Sequence, residues 1–229
     1  MSRDATQLQA EFDRIARLSG AHAEGNRYED LLLRHVPRPC ARALDLGCGA
    51  GTLTHALAGL ADRVLGIDLS PEMVRLARKR CADRPNAELL VGDFLSMDLA
   101  PASFDCIAAV AVLHHLPLER ALERAKVLLR PGGALLVLDL FRDAGLTDRL
   151  RSAIGLVLDR MAHRRRASSK ELRAAWEEHG EGDVYLTIPE ARAQYARALP
   201  GCLFQRHLLW RYAVVWTKPG ALPETRTGR

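Results

Sequence analysis

The stretch ALDLGCGAGTLT, Ala43 to Thr54, sets three glycines within five residues directly behind an apolar run. Glycine weakens strands and helices alike, so the cluster needs a reason in the backbone. A tight turn that lets a ligand approach the main chain is one. Such a turn, leading from a first strand into a helix, suits a nucleotide-like ligand at the carboxyl ends of parallel strands. The dinucleotide fingerprint requires G-x-G-x-x-G. Gly47, Gly49 and Gly51 are spaced G-x-G-x-G instead, with Thr52 in the sixth position. The cluster alone does not choose the ligand.

Outward from this turn the chain alternates. RALDL, RVLGIDL, AELLVGD, FDCIAAVAV and GALLVLDL read as strands. Between them GTLTHALAGL, SPEMVRLARKRCAD and PLERALERAKVLL read as helices, the second with Ser70 as N-cap and Pro71 in its first position. This alternation predicts a parallel sheet covered on both faces. Upstream, ATQLQAEFDRIARL spaces Leu8, Phe12, Ile15 and Leu18 as on a helix, and RYEDLLLRHV follows before Pro37 and Pro39. Downstream of Phe141 three helical stretches replace the alternation. The first ends in HRRR (163–166), the second opens on a Ser168/Glu171 capping box, and the third on Thr187/Glu190 with Pro189 in its first position. CLFQRHLLW and RYAVVWTK then predict an antiparallel pair, and PGALPETRTGR a disordered tail.

Composition narrows the function. The longest apolar run, Cys106–Leu113, is far too short to span a bilayer, and the opening MSRDATQLQAEF has no apolar core of a signal peptide. Five cysteines form no close CxxC pair, which predicts neither a zinc site nor a disulfide framework. The reading is a reduced, cytoplasmic protein. Residues 1–140 carry 17 Lys and Arg against 18 Asp and Glu, and residues 141–229 carry 16 against 10. A basic half can attract nucleic acid, yet a solvated helical surface explains it as simply.

The strand ends beyond the glycines are more specific. Asp68 closes the second strand, where a carboxylate can accept both hydroxyls of a ribose, although it could also cap a helix. Asp93 closes the third and can accept from an exocyclic amine or cap a turn, while Phe94 offers a backbone amide and a ring face. LHHL follows the fourth strand and LLRPGG precedes the fifth, with Pro131 and Gly132 fitting a type II turn.

This series resembles the class I S-adenosylmethionine-dependent methyltransferases, nearest to the small-molecule branch of the ubiquinone/menaquinone type. Residues 43–54 resemble motif I, 66–70 the acidic loop, 92–94 the adenine loop, and 104–116 and 128–140 the later strands. HLLWRYAVVWTKP resembles the closing hairpin, and 141–200 match only loosely, where this branch builds its substrate cover. The resemblance implies an α/β, Rossmann-like, doubly wound sheet of seven mostly parallel strands, with an antiparallel C-terminal hairpin and a helical cover insertion. It divides the chain into residues 1–140 (N-terminal helices and core), 141–200 (cover), 201–218 (hairpin) and 219–229 (tail).

The same resemblance implies S-adenosylmethionine as cofactor, S-adenosylhomocysteine as product, and methyl transfer to an O, N or C nucleophile of a small molecule. Tyr28, Asp45, Gly47, Cys48, Gly49, Asp68, Leu69, Asp93, Phe94 and Val110 are the cofactor residues it implies. Asp45 either reaches the ligand's ammonium through water or is a structural carboxylate. Cys48 reads as space-filling, and Gly51 as permitting close packing of helix on sheet. His114 and His115 are the catalytic candidates, His115 preferred as general base, with a packed loop histidine as the alternative. No metal is expected. The partner expected is a small-molecule substrate, with no membrane span, in a monomer or homodimer. A nucleic-acid substrate is disfavoured, because AVLHHL stands where adenine N6 enzymes carry Asn/Asp-Pro-Pro-Tyr/Phe. A non-catalytic ligand-binding protein on the same fold is the other alternative.

Overall fold

The computed structural model describes residues 4–19, 29–145 and 169–220. Their elements run α1 (Ala5–Ser19), α2 (Glu29–Leu33), β1 (Arg42–Leu46), α3 (Thr52–Leu57), β2 (Arg63–Asp68), α4 (Pro71–Arg80) and β3 (Ala87–Val91). They continue through β4 (Phe104–Val110), a 3-10 turn at Leu113–His115, α5 (Leu118–Leu128) and β5 (Leu129–Leu140). The last four are α6 (Lys170–Glu181), α7 (Ile188–Ala198), β6 (Leu203–Arg206) and β7 (Arg211–Thr217).

The seven strands form one sheet in the order β3-β2-β1-β4-β5-β7-β6. β1 to β5 are parallel, and β7 lies antiparallel to both β5 and β6. Strand order reverses between β1 and β4, so the carboxyl ends of these two strands flank the cleft where such sheets bind ligands. The strands are apolar on both faces because both are covered. Leu44, Leu46, Leu65, Ile67 and Ile107 pack with α5 and α7 in one cluster, while Ala43, Val64, Cys106 and Ala108 pack with α2 and α3 in another.

Local signals place the helix starts. Ser70 caps α4, its hydroxyl accepting from Met73 N at 3.0 Å, and Thr187/Glu190 form a reciprocal box on α7. Each such cap contributes about 1 kcal/mol. Three local expectations are corrected. Ser169, not Ser168, caps α6, accepting from Leu172 N, so Glu171 is not the third residue of a box. Pro189 is the second residue of α7, behind Ile188. The Pro131–Gly132 turn does not precede β5 but lies inside it. Partner register jumps from Phe104↔Leu129 to Cys106↔Ala134, and Gly132 takes φ +82° while its amide donates to Lys218 O. A pairing irregularity absorbs the turn that the dipeptide predicts.

The segment after β5 is not uniform. α7 buries Ala191 and Tyr195 in the main core, beside Leu199, Tyr212 and Trp216. α6 buries only Ala175 and His179, leaves Trp176 47% exposed, and meets α1 and α4 through Ile15, Ala16, Met73 and Leu76. α1 is tied down by Asp13, whose carboxylate accepts from the Ser70 hydroxyl and from Glu72 N at the start of α4. Leu18, placed on the apolar stripe by spacing, is 37% exposed at the end of α1. The first of the three helical stretches expected after Phe141, 146–166 with its HRRR, lies outside the described residues, as do Ser168 and 221–229 of the tail.

Candidate active site

The turn after β1 is built from main-chain hydrogen bonds. Gly47 N and Cys48 N both donate to Ile67 O, at 2.8 and 2.9 Å, which draws the end of β1 onto β2. Gly47, Gly49 and Gly51 have φ of +69°, +50° and +81°. L-residues avoid this region, and that alone favours glycine. Space adds a separate reason at two of them. A Cβ on Gly47 would stand 2.5 Å from Val112 Cγ2, and one on Gly51 would stand 2.8 Å from Ala77 of α4. Gly51 therefore lets the start of α3 approach α4, a helix-on-helix contact in place of the helix-on-sheet packing expected from the sequence. Gly49 faces open space. Gly66, at the start of the acidic-loop stretch, has no free space: a Cβ there would meet Leu89, Thr54 and Cys48 at 2.7–3.1 Å.

Asp68 holds this corner together. Its Oδ2 accepts from Gly49 N and its Oδ1 from Ser70 N, both at 2.9 Å. Burial pushes its carboxyl up, and the two amides pull it back. Ser70 carries the α4 cap, so Asp68 is not needed for it. Asp45 is 1% exposed and accepts from the Thr54 hydroxyl at 2.6 Å. Burial raises it to about 7, against that hydrogen bond. Cys48 is packed among Val74, Ala77, Cys81 and Leu89, and burial pushes its thiol far up, which removes thiolate reactivity.

Asp93 accepts from Leu95 N at 2.9 Å and from the Ser96 hydroxyl at 3.2 Å, the turn-capping alternative. Phe94 is 4% exposed in the main core, with the Arg124 guanidinium 5.5 Å from its ring centroid. The expected open ring face is therefore not there, because the core claims it; its main chain remains. Leu69 and Val110 are half-buried at the carboxyl ends of β2 and β4. Tyr28 lies outside the described residues.

Beyond β4 the chain turns sharply. Ala111 takes φ +52° and donates its amide to Leu138 O at 2.7 Å. That conformation, unfavourable for alanine, sets Val112 over Gly47 and leads into His114 and His115. His114 Nδ1 lies 2.6 Å from Asp139 Oδ1, and its amide donates to Asp139 Oδ2 at 3.0 Å. His114 Nε2 and His115 Nδ1 lie 3.7 and 3.3 Å from the two oxygens of Asp183. Burial pushes the His115 imidazole below the usual histidine range, against the attraction of Asp183. Asp183 would be raised by burial, but contacts from His115 and the Tyr185 hydroxyl outweigh it and hold the carboxyl at about 2.

His179 of α6 adds a third imidazole. Its Nε2 is 3.7 Å from Asp183, and its Nδ1 is 2.8 Å from Glu11 of α1. Asp139, His179, Asp183, Tyr185 and Glu11 were all missed by sequence reasoning. Only the HH pair was visible, and the other residues come from elements distant in sequence. A cavity of about 360 Å³ opens beside this cluster, lined by Leu8, Leu113, His114, His115, Asp183 and Tyr212 among others.

The chain is 32% identical to an uncharacterized methyltransferase of Mycobacterium bovis, over 84% of this chain and 94% of that protein. It belongs to the class I S-adenosylmethionine-dependent methyltransferases. A methyltransferase-domain family profile matches residues 44–137 of this methyltransferase. A ubiquinone biosynthesis O-methyltransferase of Xanthomonas campestris is 38% identical over 49% of the chain, which spans about half (48%) of that relative's length. Among solved structures, a DhpI–S-adenosylhomocysteine complex superposes with a TM-score of 0.61 at 20% identity, covering 97% of this chain and 100% of that one. The methyltransferase's cofactor is S-adenosylmethionine, and the residues present fit it: an open glycine cradle at Gly49 and a half-buried carboxylate at Asp68. No helix among the described residues is long and apolar enough to cross a membrane.

Proposed function

We propose that this methyltransferase transfers the methyl group to a nucleophilic atom of a small-molecule acceptor held in the cavity beside His114 and His115. The observation that carries this is the cavity's placement. It starts one residue beyond Val112, the side chain that packs over the Gly47 turn, and α1, α5, β5, the 182–186 connection, α7 and β7 supply its other walls. Its mixture of leucines with a histidine–carboxylate cluster suits an apolar metabolite bearing one polar, methylatable group. The likeness to a ubiquinone biosynthesis O-methyltransferase over half its length supports a hydroxyl acceptor.

At the other end of the cleft, Asp68 binds the ribose, Asp93 and the Phe94 main chain meet the adenine, and Gly47 and Gly49 pass beneath the methionine end. Leu69 and Val110 line the cleft between them. The sulfonium is already electrophilic, so the protein's share is to align donor and acceptor, exclude water and take up the acceptor's proton. His115 is the base in this reading, acting through Nε2, because Nδ1 faces Asp183. α6, packed with α1, forms the cover, whereas α7 belongs to the core beneath it.

The test is transfer of labelled methyl by the purified protein to fractionated small-molecule extracts and, in parallel, to RNA. Label in the apolar small-molecule fraction is expected. Label in RNA, or none in either pool while S-adenosylhomocysteine binds, would overturn the acceptor reading.

A further inference from the structure

We propose that His114, His115 and Asp183 form a binding site for a divalent transition-metal ion. One Nε2 or Nδ1 from each imidazole and a carboxylate oxygen lie within 4.8 Å of one another. Their approaches to Asp183, 3.7 Å from His114 Nε2 and 3.3 Å from His115 Nδ1, are longer than the hydrogen bonds these groups make elsewhere. His114 Nδ1 to Asp139 and the Tyr185 hydroxyl to Asp183 are both 2.6 Å. Ligand atoms about 2.0–2.1 Å from a tetrahedral ion stand about 3.3 Å apart; the His115–Asp183 separation matches that spacing and the His114–Asp183 separation, at 3.7 Å, needs only a small inward shift.

The surroundings are those of a metal site as well. Metal-binding histidines hold their second nitrogen on a carboxylate, which fixes the tautomer and turns the other lone pair to the ion. Asp139, buried at 1% exposure, holds His114 Nδ1 in this way and takes the His114 amide on its other oxygen. With a proton between Nδ1 and Asp139, the His114 Nε2 lone pair is turned toward the Asp183 carboxylate 3.7 Å away. His179 repeats the pattern, Nδ1 on Glu11 and Nε2 3.7 Å from Asp183. Tyr185 donates to Asp183 Oδ2 and orients it. Two imidazoles and one carboxylate favour zinc, iron(II), cobalt, nickel or manganese over magnesium or calcium.

All three ligands line the cavity, so an ion there would have the acceptor within reach. This consequence rests on the proposed function, whereas ion binding itself does not. Held by His114, His115 and Asp183, such an ion would act as a Lewis acid that lowers the pKa of a coordinated acceptor hydroxyl, so that its proton could leave to solvent near neutral pH. The oxygen then bonds to the methyl carbon as the carbon–sulfonium bond breaks, its electron pair remaining on sulfur. With the ion bound, His115 Nδ1 would be a ligand and its Nε2 would carry the ring proton, so the base role proposed above belongs to the ion-free protein.

The test uses the full chain, stripped with a chelator and dialysed, then titrated with cobalt(II) and, by calorimetry, with zinc. One equivalent of cobalt should bind with visible d–d absorption and be displaced by zinc. Asp183→Asn and His115→Gln should each weaken zinc binding at least a hundredfold. Asp139→Asn, which leaves all three ligands in place, should weaken it roughly ten- to a hundredfold. Circular dichroism melting of each stripped variant confirms that it is folded. No stoichiometric cobalt binding by the wild type, or binding unchanged in Asp183→Asn and His115→Gln, would overturn the site. Methyl transfer that persists in the stripped wild type would overturn the ion's part in the reaction and leave His115 as base. Metal binding without any methyl transfer would overturn the acceptor reading alone.

Discussion

The turn at Gly47 and the cluster at His114 meet through Val112, yet they are made of different materials. The first is main chain: three positive-φ glycines, two amides on one carbonyl of β2, and a carboxylate that takes two more amides. All of it comes from residues 45–70. The second is side chain: histidines from the β4–α5 connection and α6, carboxylates from β5, α1 and the segment after α6. A main-chain site tolerates few substitutions but asks little of distant residues. A side-chain cluster depends on several elements docking at once.

This contrast predicts that the largest single effect falls on the turn. Gly47→Ala meets both a positive φ and the Val112 side chain, and should lower stability by about 2–4 kcal/mol in urea unfolding. Gly49→Ala, with the same φ problem but open space, should cost about 1 kcal/mol. Equal losses in the two variants would mean that Val112 does not pack over the turn.

Next in size is Asp68→Ala. S-adenosylmethionine and S-adenosylhomocysteine share the ribose, so calorimetric titration should show both weakened ten- to a hundredfold, or about 1.5–3 kcal/mol. Unchanged affinity for both would confine Asp68 to its Gly49 and Ser70 amides.

Asp45 gives the corner a pH signature. Its carboxyl is raised to about 7 in the fold, from 3.8 when unperturbed. Between these values the folded state holds a proton that the unfolded state has lost, so stability falls as pH rises through that window and is level above it. The wild type should lose about 1–3 kcal/mol between pH 5 and pH 8 that Asp45→Asn retains, since the amide keeps an acceptor for Thr54. Parallel pH profiles for the two proteins would show that Asp45 is already charged in the fold at pH 5.

The smallest effect belongs to the outer surface of the cover. Arg14 and Glu178 pair at 2.6 Å but are 53% and 66% exposed, so Arg14→Ala should change the melting free energy by no more than about 0.5 kcal/mol. A loss several times larger would show that α1 and α6 are held by this pair and not by the Ile15–Ala175 contacts.

Residue order was enough to place the sheet, the glycine turn and Asp68. A parallel strand buried on both faces is a run of apolar residues, a cap is a serine three residues before its amide, and a positive-φ turn is glycine. These signals are local, and the capping and turn residues that carry them act on the backbone next to them. Local reading failed by a residue or two where neighbours compete, at Ser168 against Ser169 and at Pro131, where pairing with β4 and β7 absorbs the turn into β5. The surroundings of the HH pair were out of its reach altogether. Asp183 stands 68 positions beyond His115 and Glu11 lies 104 before it, with no periodicity linking them. Only the packing of α1 and α6 against α4, and the turn of the chain at Ala111, bring these side chains into one cluster, because the contact is made by tertiary docking and not by the backbone that carries each residue.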